Sequence, residues 1–141
     1  LKALKYPELF NGVNSKTELV VELVDKKTTT NSEEIEQLTS FMEREKPYLN
    51  PSLSIRNLSE ALQMPSRDLS VLINNGLHQH FFDFVNEYRI KEAMEILKNP
   101  SKNEFTVLEI LYEVGFNSKS SFNTAFKKHT GKTPTEFRKL S

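Results

Sequence analysis

Three histidines and no cysteine bound the chemistry open to this chain. Without thiols there is no disulfide scaffold, no thiolate zinc site and no cysteine nucleophile. The imidazoles are His78, His80 and His129. The first two stand two apart, which on a helix sends them to different faces, and no carboxylates join them at ligand spacing. No metal site and no cofactor are expected. Enzyme chemistry is not expected either, because no histidine–carboxylate pair and no glycine-rich phosphate loop is in view. What remains is a set of polar side chains at helical spacing. Arg67, Ser70, Val71 and Asn74 fall at i, i+3, i+4 and i+7, and an offset of 53 maps them onto Ser120, Asn123, Thr124 and Lys127. Such donors and acceptors suit base edges in a DNA major groove, and Val71 suits a thymine methyl. The plainer meaning is an ordinary wet helix surface.

Charge is balanced overall and uneven locally. The 19 Lys and Arg match the 19 Asp and Glu. Residues 117–141 nevertheless carry Lys119, Lys127, Lys128, Lys132, Arg138 and Lys139 against Glu136 alone. Residues 1–116 are correspondingly acidic. A basic end on a neutral chain makes a positive face for a polyanion, or simply a solvated tail. At 141 residues and 37% hydrophobic, the chain has room for one packed domain. No apolar run approaches the ~18–20 residues that cross a bilayer; the stretch from Glu18 to Val24 is broken by Glu22. No signal peptide is visible, and a start at Leu1 rather than Met suits a piece of something longer.

The elements that must position these faces read as helices. Residues 1–32 hold turn signals at Tyr6-Pro7 and Asn11-Gly12 and a polar linker at Lys26 to Asn31, with Glu18 to Val24 legible as strand or helix turn. Ile35, Leu38 and Met42 begin a helical stripe that Pro47 ends. Ser54 caps a short helix with Ile55, Leu58, Ala61 and Leu62 inward. A second helix turns Leu69, Leu72 and Ile73 inward and stops at Asn75-Gly76. A long helix runs from His80 to Lys98. Thr106 then opens a helix with Val107, Ile110, Leu111 and Val114 inward, and Ser118 caps one with Phe122, Ala125 and Phe126 inward, closed by Gly131. Thr133-Pro134-Thr135-Glu136 starts a last helix with a capping box. No strand is expected after residue 32.

An internal repeat changes the weight of the polar faces. Ile55, Leu58, Leu62 and Met64 recur as Val107, Ile110, Val114 and Phe116 at an offset of 52. Leu69, Leu72 and Ile73 recur as Phe122, Ala125 and Phe126 at an offset of 53, so one residue has entered the second turn. Each copy is helix, tight turn, helix: the helix-turn-helix pattern. Between them the helix from His80 to Lys98 is 19 residues, about 28 Å at 1.5 Å per residue. Adjacent major grooves on one side of B-DNA lie about 34 Å apart. Phe81, Phe84, Val85 and Tyr88 form one stripe of this helix, and Ile90, Ala93 and Leu97 another, rotated by about 160°. Two stripes suit a rod that docks a different subdomain at each end.

Val114 to Lys139 (VGFNSKSSFNTAFKKHTGKTPTEFRK) resembles the signature of the C-terminal DNA-binding domain of AraC/XylS transcriptional regulators, and Phe84 to Leu97 resembles that family's linker helix. The resemblance covers about residues 34–140. It implies an all-α fold of about seven helices. Two helix-turn-helix subdomains, about 54–76 and 106–130, would be joined by the linker helix of about 80–98 and followed by a final helix of about 134–140. The domain would span 33–141, with 1–32 a linker. The implied base readers are Arg67, Ser70, Val71 and Asn74, with Lys119, Ser120, Asn123 and Thr124; Lys127, Lys128 and Arg138 suit phosphate. His78 stands where the family often has glycine, so Gly76 or a left-handed His78 must end the first reading helix. Pro65 stands where a capping serine is usual, which moves the expected cap to Ser66.

The resemblance further implies a bacterial transcription regulator, usually an activator. Its partners would be double-stranded DNA and RNA polymerase, with an upstream sensor domain absent from this chain and a dimer in the full-length protein. Leu4 to Phe10 (LKYPELF) is similar to the segment that joins this domain to a membrane-embedded sensor in some members. The expected location is the cytoplasm, with the full-length protein anchored to the inner membrane. The alternative is a helical protein-interaction module that kept the fold and lost DNA binding, which the acidic first 116 residues favour.

Overall fold

Side-chain caps decide where these helices begin. In the computed structural model, which describes residues 31–140, Thr106 Oγ1 accepts from the Glu109 amide at 3.0 Å while Glu109 Oε1 accepts from the Thr106 amide at 2.9 Å. Thr133 and Glu136 repeat this reciprocal box at 2.9 and 3.1 Å, and Ser54 and Asn57 make a third. Each box satisfies two backbone donors that a helix start leaves over. Ser118 caps the next-to-last helix by accepting from the Ser121 amide at 3.2 Å.

Seven helices result, with no strand among the described residues. Helix α1 covers residues 31–45; Lys46 turns left-handed (φ 49°) and a 3-10 turn follows at Pro47–Leu49. Helix α2 is Ile55–Ala61. Helix α3 is Ser66–Val71, and it runs directly into a π-helical turn at Leu72–Gly76. Helix α4 is Phe81–Lys98, α5 Val107–Glu113, α6 Lys119–Thr130 and α7 Pro134–Leu140. Leu38–Ser141 make one compact unit, distinct from Leu1–Gln37. The expectations for Tyr6-Pro7, Asn11-Gly12, Glu18 to Val24 and LKYPELF lie outside the described residues.

The repeat holds in three dimensions. Leu58, Leu69, Leu72 and Ile73 are buried, and so are their counterparts Ile110, Phe122, Ala125 and Phe126. Both interhelix turns need a left-handed residue, Gln63 (φ 57°) in the first and Gly115 (φ 105°) in the second, again at the offset of 52. A Cβ on Gly115 would collide with the Tyr48 carbonyl oxygen and crowd Arg89 Nε, so glycine is required there on two counts.

Helix α4 is the shared wall. Its second half joins the core of the second subdomain: Ile90, Ala93, Ile96 and Leu97 pack with Ile110, Leu111, Val114, Phe116, Phe122, Ala125 and Phe126. Phe84 and Val85, also buried, lie outside that cluster and toward the first half. A chain of aromatic contacts binds the second subdomain, from Phe116 to Phe122 (5.2 Å), Phe126 (5.6 Å) and Phe137 (5.5 Å). In the first half, Tyr48 stacks on Tyr88 at 5.5 Å and donates to Glu92 Oε1 at 3.2 Å. Burial, with the Glu92 carboxylate beside it, pushes the Tyr48 hydroxyl up to about 12.

Two expectations are corrected. Ala61 is exposed and Ser59 is buried in its place. Ser66 does not cap α3; Pro65 occupies the cap position without a side-chain bond, and the Ser66 hydroxyl pairs with that of Ser59 at 2.8 Å. A small hydroxyl at Ser59 lets the two helices approach and gives Ser66 a partner stronger than its own helix end. Arg89, which belongs to neither apolar stripe, is also buried. Its Nε donates to the Tyr48 carbonyl at 2.7 Å, Nη2 to the Asn50 carbonyl at 3.0 Å and Nη1 to Asn86 Oδ1 at 3.1 Å.

Replacing Arg89 with Met keeps most of the volume and strands two carbonyls without donors, a loss of about 3 kcal/mol. A urea titration should show a lower midpoint at unchanged slope; a loss below ~1 kcal/mol would mean that water replaces the guanidinium. The capping boxes set the acid response. Hydrogen bonds from the Thr106 and Thr133 amides and hydroxyls hold the Glu109 and Glu136 carboxyls below their ordinary range. A depressed folded value stabilises above the unfolded value of about 4.3 and is lost as pH falls through the folded one. The urea midpoint should therefore fall on acidification in that window, and less steeply in Glu109→Gln/Glu136→Gln.

Candidate nucleic-acid interface

The inward register of each second helix leaves its opposite side to solvent. On α3 and its π turn, Arg67 and Asn74 are exposed, Val71 is 49% exposed and Ser70 is half-buried. The π turn moves Asn74 off the ideal α-helical row, but its Nδ2 still donates to Ser70 Oγ at 3.4 Å, which keeps it on the same side. On α6, Lys119, Ser120, Asn123, Thr124 and Lys127 are all exposed. The π turn ends at Gly76, and it is His78, two residues on, that takes the left-handed conformation (φ 56°).

The basic residues are not equivalent. Lys127 is exposed, and its charge helps to hold the Glu136 carboxyl low. Lys128 Nζ pairs with Asp83 Oδ1 of α4 at 3.0 Å, tying α6 to the start of the linker helix. Arg138 is half-buried, with Nε and Nη2 enclosed and lacking a hydrogen-bond partner. The Asp83–Lys128 pair spans 45 residues, and no local spacing signals it.

Two surface concavities link the faces. One, of about 440 Å³, is bordered by Asn74, His78, Gln79, His80, Asp83, Lys128 and His129. The other, of about 340 Å³, shares Asp83, Lys128 and His129 and reaches Ser120 and Thr124. The expectation that His78 and His80 point apart is corrected. His80 is the residue before α4 and His78 precedes it in the connecting turn, so neither sits inside a helix, and both border one concavity. No group of three His, Asp or Glu suited to a metal ion occurs among the described residues.

A profile described as a helix-turn-helix domain matches residues 58–140. This chain belongs to the AraC-type helix-turn-helix family. It is 33% identical over 92 residues to the transcriptional regulatory protein YesN of Bacillus subtilis, covering 64% of this chain and 24% of that one. The C-terminal domain of the two-component response regulator yesN from Fusobacterium nucleatum superposes with a TM-score of 0.62 at 27% identity, over 75% of this chain and 98% of that one. A transcriptional regulator from Chromobacterium violaceum, described as AraC-type, shares the fold at a TM-score of 0.65 and 20% identity, over 79% of this chain and 95% of that one. The chain thus corresponds to a DNA-binding helix-turn-helix module and spans only about a quarter of the Bacillus protein's length. The family is not enzymatic. No helix among the described residues is long and apolar enough to cross a membrane.

In this AraC-type domain, Asp83 neutralises Lys128, one of the lysines expected from the sequence to meet phosphate. Asp83→Asn should raise affinity for every duplex alike, by about threefold, and steepen the salt dependence by about one phosphate contact. The fold loses only a solvent-exposed pair worth ~0–1 kcal/mol. Unchanged affinity across a salt series would show that Lys128 meets no phosphate.

Proposed function

We propose that this domain is a sequence-specific transcription regulator whose α3 and α6 enter adjacent major grooves of one duplex. The observation that carries the reading is the pairing of two helix-turn-helix units, in matching inward registers, on one continuous 18-residue helix. Arg67, Ser70, Val71 and Asn74 read one half-site, and Lys119, Ser120, Asn123 and Thr124 the other. Lys127 and Lys128 meet phosphate. Arg138 joins them by turning its unpartnered guanidinium outward, since an enclosed donor gains by finding an acceptor.

The full-length protein acts as an activator in contact with RNA polymerase. It carries a signal-receiving half upstream, works as a dimer and operates in the cytoplasm from an inner-membrane anchor. One observation favours the protein-interaction module instead: Lys128, central to the basic end, is already neutralised by Asp83.

Selection from random duplexes at about 0.15 M salt decides between them. The expected result is an enriched motif with two half-sites about 10 base pairs apart. Asn123→Ala should relax preference at one base pair, costing about 1–3 kcal/mol there. Lys127→Ala should weaken every sequence and lower the salt slope by about one. No enrichment, with binding abolished by added salt, would favour the interaction module.

A further inference from the structure

All three histidines of the chain converge on one concavity, although they come from three places. His78 lies in the turn after the first reading helix, His80 immediately before α4, and His129 near the end of α6. Asn74, on the first reading face, borders the same concavity. The neighbouring concavity continues from Asp83, Lys128 and His129 to Ser120 and Thr124 on the second reading face. The two concavities, which share Asp83, Lys128 and His129, run past the imidazoles between the two polar faces.

We propose that His78, His80 and His129 form a proton-dependent seat for the DNA backbone between the two reading units, so that duplex binding takes up protons. This rests on the DNA-reading function proposed above.

The charges around the seat support that assignment. From α4 comes Asp83, and from α6 comes Lys128; these two pair at 3.0 Å and largely cancel. Glu87 of α4 accepts from Gln79 Nε2 at 2.8 Å and has its charge met by Lys91 at 3.5 Å. The local sign is then decided by the imidazoles, which as a class change charge between about pH 5 and 8. A neutral imidazole offers one N–H; the protonated ring offers two and a full positive charge. Phosphodiester oxygens only accept, and they keep their charge throughout that range. Proximity to them favours the protonated ring, so the added affinity is present at low pH and fades as pH rises.

The test is an equilibrium titration of this chain with a labelled mixed-sequence duplex of about two helical turns, at fixed ionic strength, at about pH 6 and about pH 8. The comparison protein is His78→Asn/His80→Gln/His129→Gln, with Asn at the left-handed position because it tolerates that conformation. The unaltered chain should bind about tenfold tighter at the lower pH. The triple variant should shift less than about twofold and match the unaltered chain at the higher pH. His80→Gln alone should cut the ratio to about threefold, a check that holds even where the triple variant folds poorly. A pH-independent unaltered chain, or a variant that keeps the full shift, overturns the seat and leaves DNA reading standing. Absence of duplex binding at both pH values overturns both.

Discussion

The buried guanidinium of Arg89 ties the two halves of the domain to the same stretch of α4. Its donors end on the Tyr48 and Asn50 carbonyls, next to the first helix-turn-helix, and its plane lies over the Phe116 ring at 5.6 Å, inside the second. Burial lowers its pKa by penalising the charge. Backbone carbonyls and an amide oxygen answer that penalty without a carboxylate. This leaves no ionic partner whose protonation would release the joint. Gly115 completes it, because only a residue without Cβ lets the second turn close beneath the Tyr48 carbonyl. This one cluster joins the 3-10 turn before the first unit, the middle of α4 and the interhelix turn of the second unit.

The two units solve the same packing problem with different materials. The second uses large rings in continuous contact, Phe116, Phe122 and Phe126 within its core and Phe137 packed against it. The first uses aliphatic side chains, a hydroxyl pair between Ser59 and Ser66, and a π turn at the end of its reading helix. Aromatic faces bury more area per residue than Leu or Ile. Wider turns of this kind often mark functional positions, and here the wider turn carries Asn74.

Helix order, caps and inward faces were legible in the sequence because each depends on residues within one or two turns. Thr106 with Glu109, and Thr133 with Glu136, announce their boxes by spacing alone. The repeat at offsets of 52 and 53 carried the architecture. What spacing does not carry is contact across the fold. Arg89 looks like a surface residue in a helical pattern, since its partners are 39 and 41 residues away. Ser59 reads as polar and Ala61 as apolar, yet the Ser59 hydroxyl is taken inside by its bond to Ser66 on α3. The histidines gave no helical signal because two of them sit between helices, and the third reaches them only through the α4–α6 contact.

A duplication carried on one rod has a consequence for the target. Two recognition surfaces on a single chain never have to find each other, so engagement of the second is intramolecular once the first is seated. Its effective concentration is set by the rigid 18-residue helix and not by how much protein is present. Each half therefore need not bind tightly alone. The two surfaces also bear different side chains, Arg67, Ser70, Val71 and Asn74 against Lys119, Ser120, Asn123 and Thr124. On the proposed function, a site matched to them has a direction: it is not palindromic, and one monomer seated on it faces only one way along the DNA.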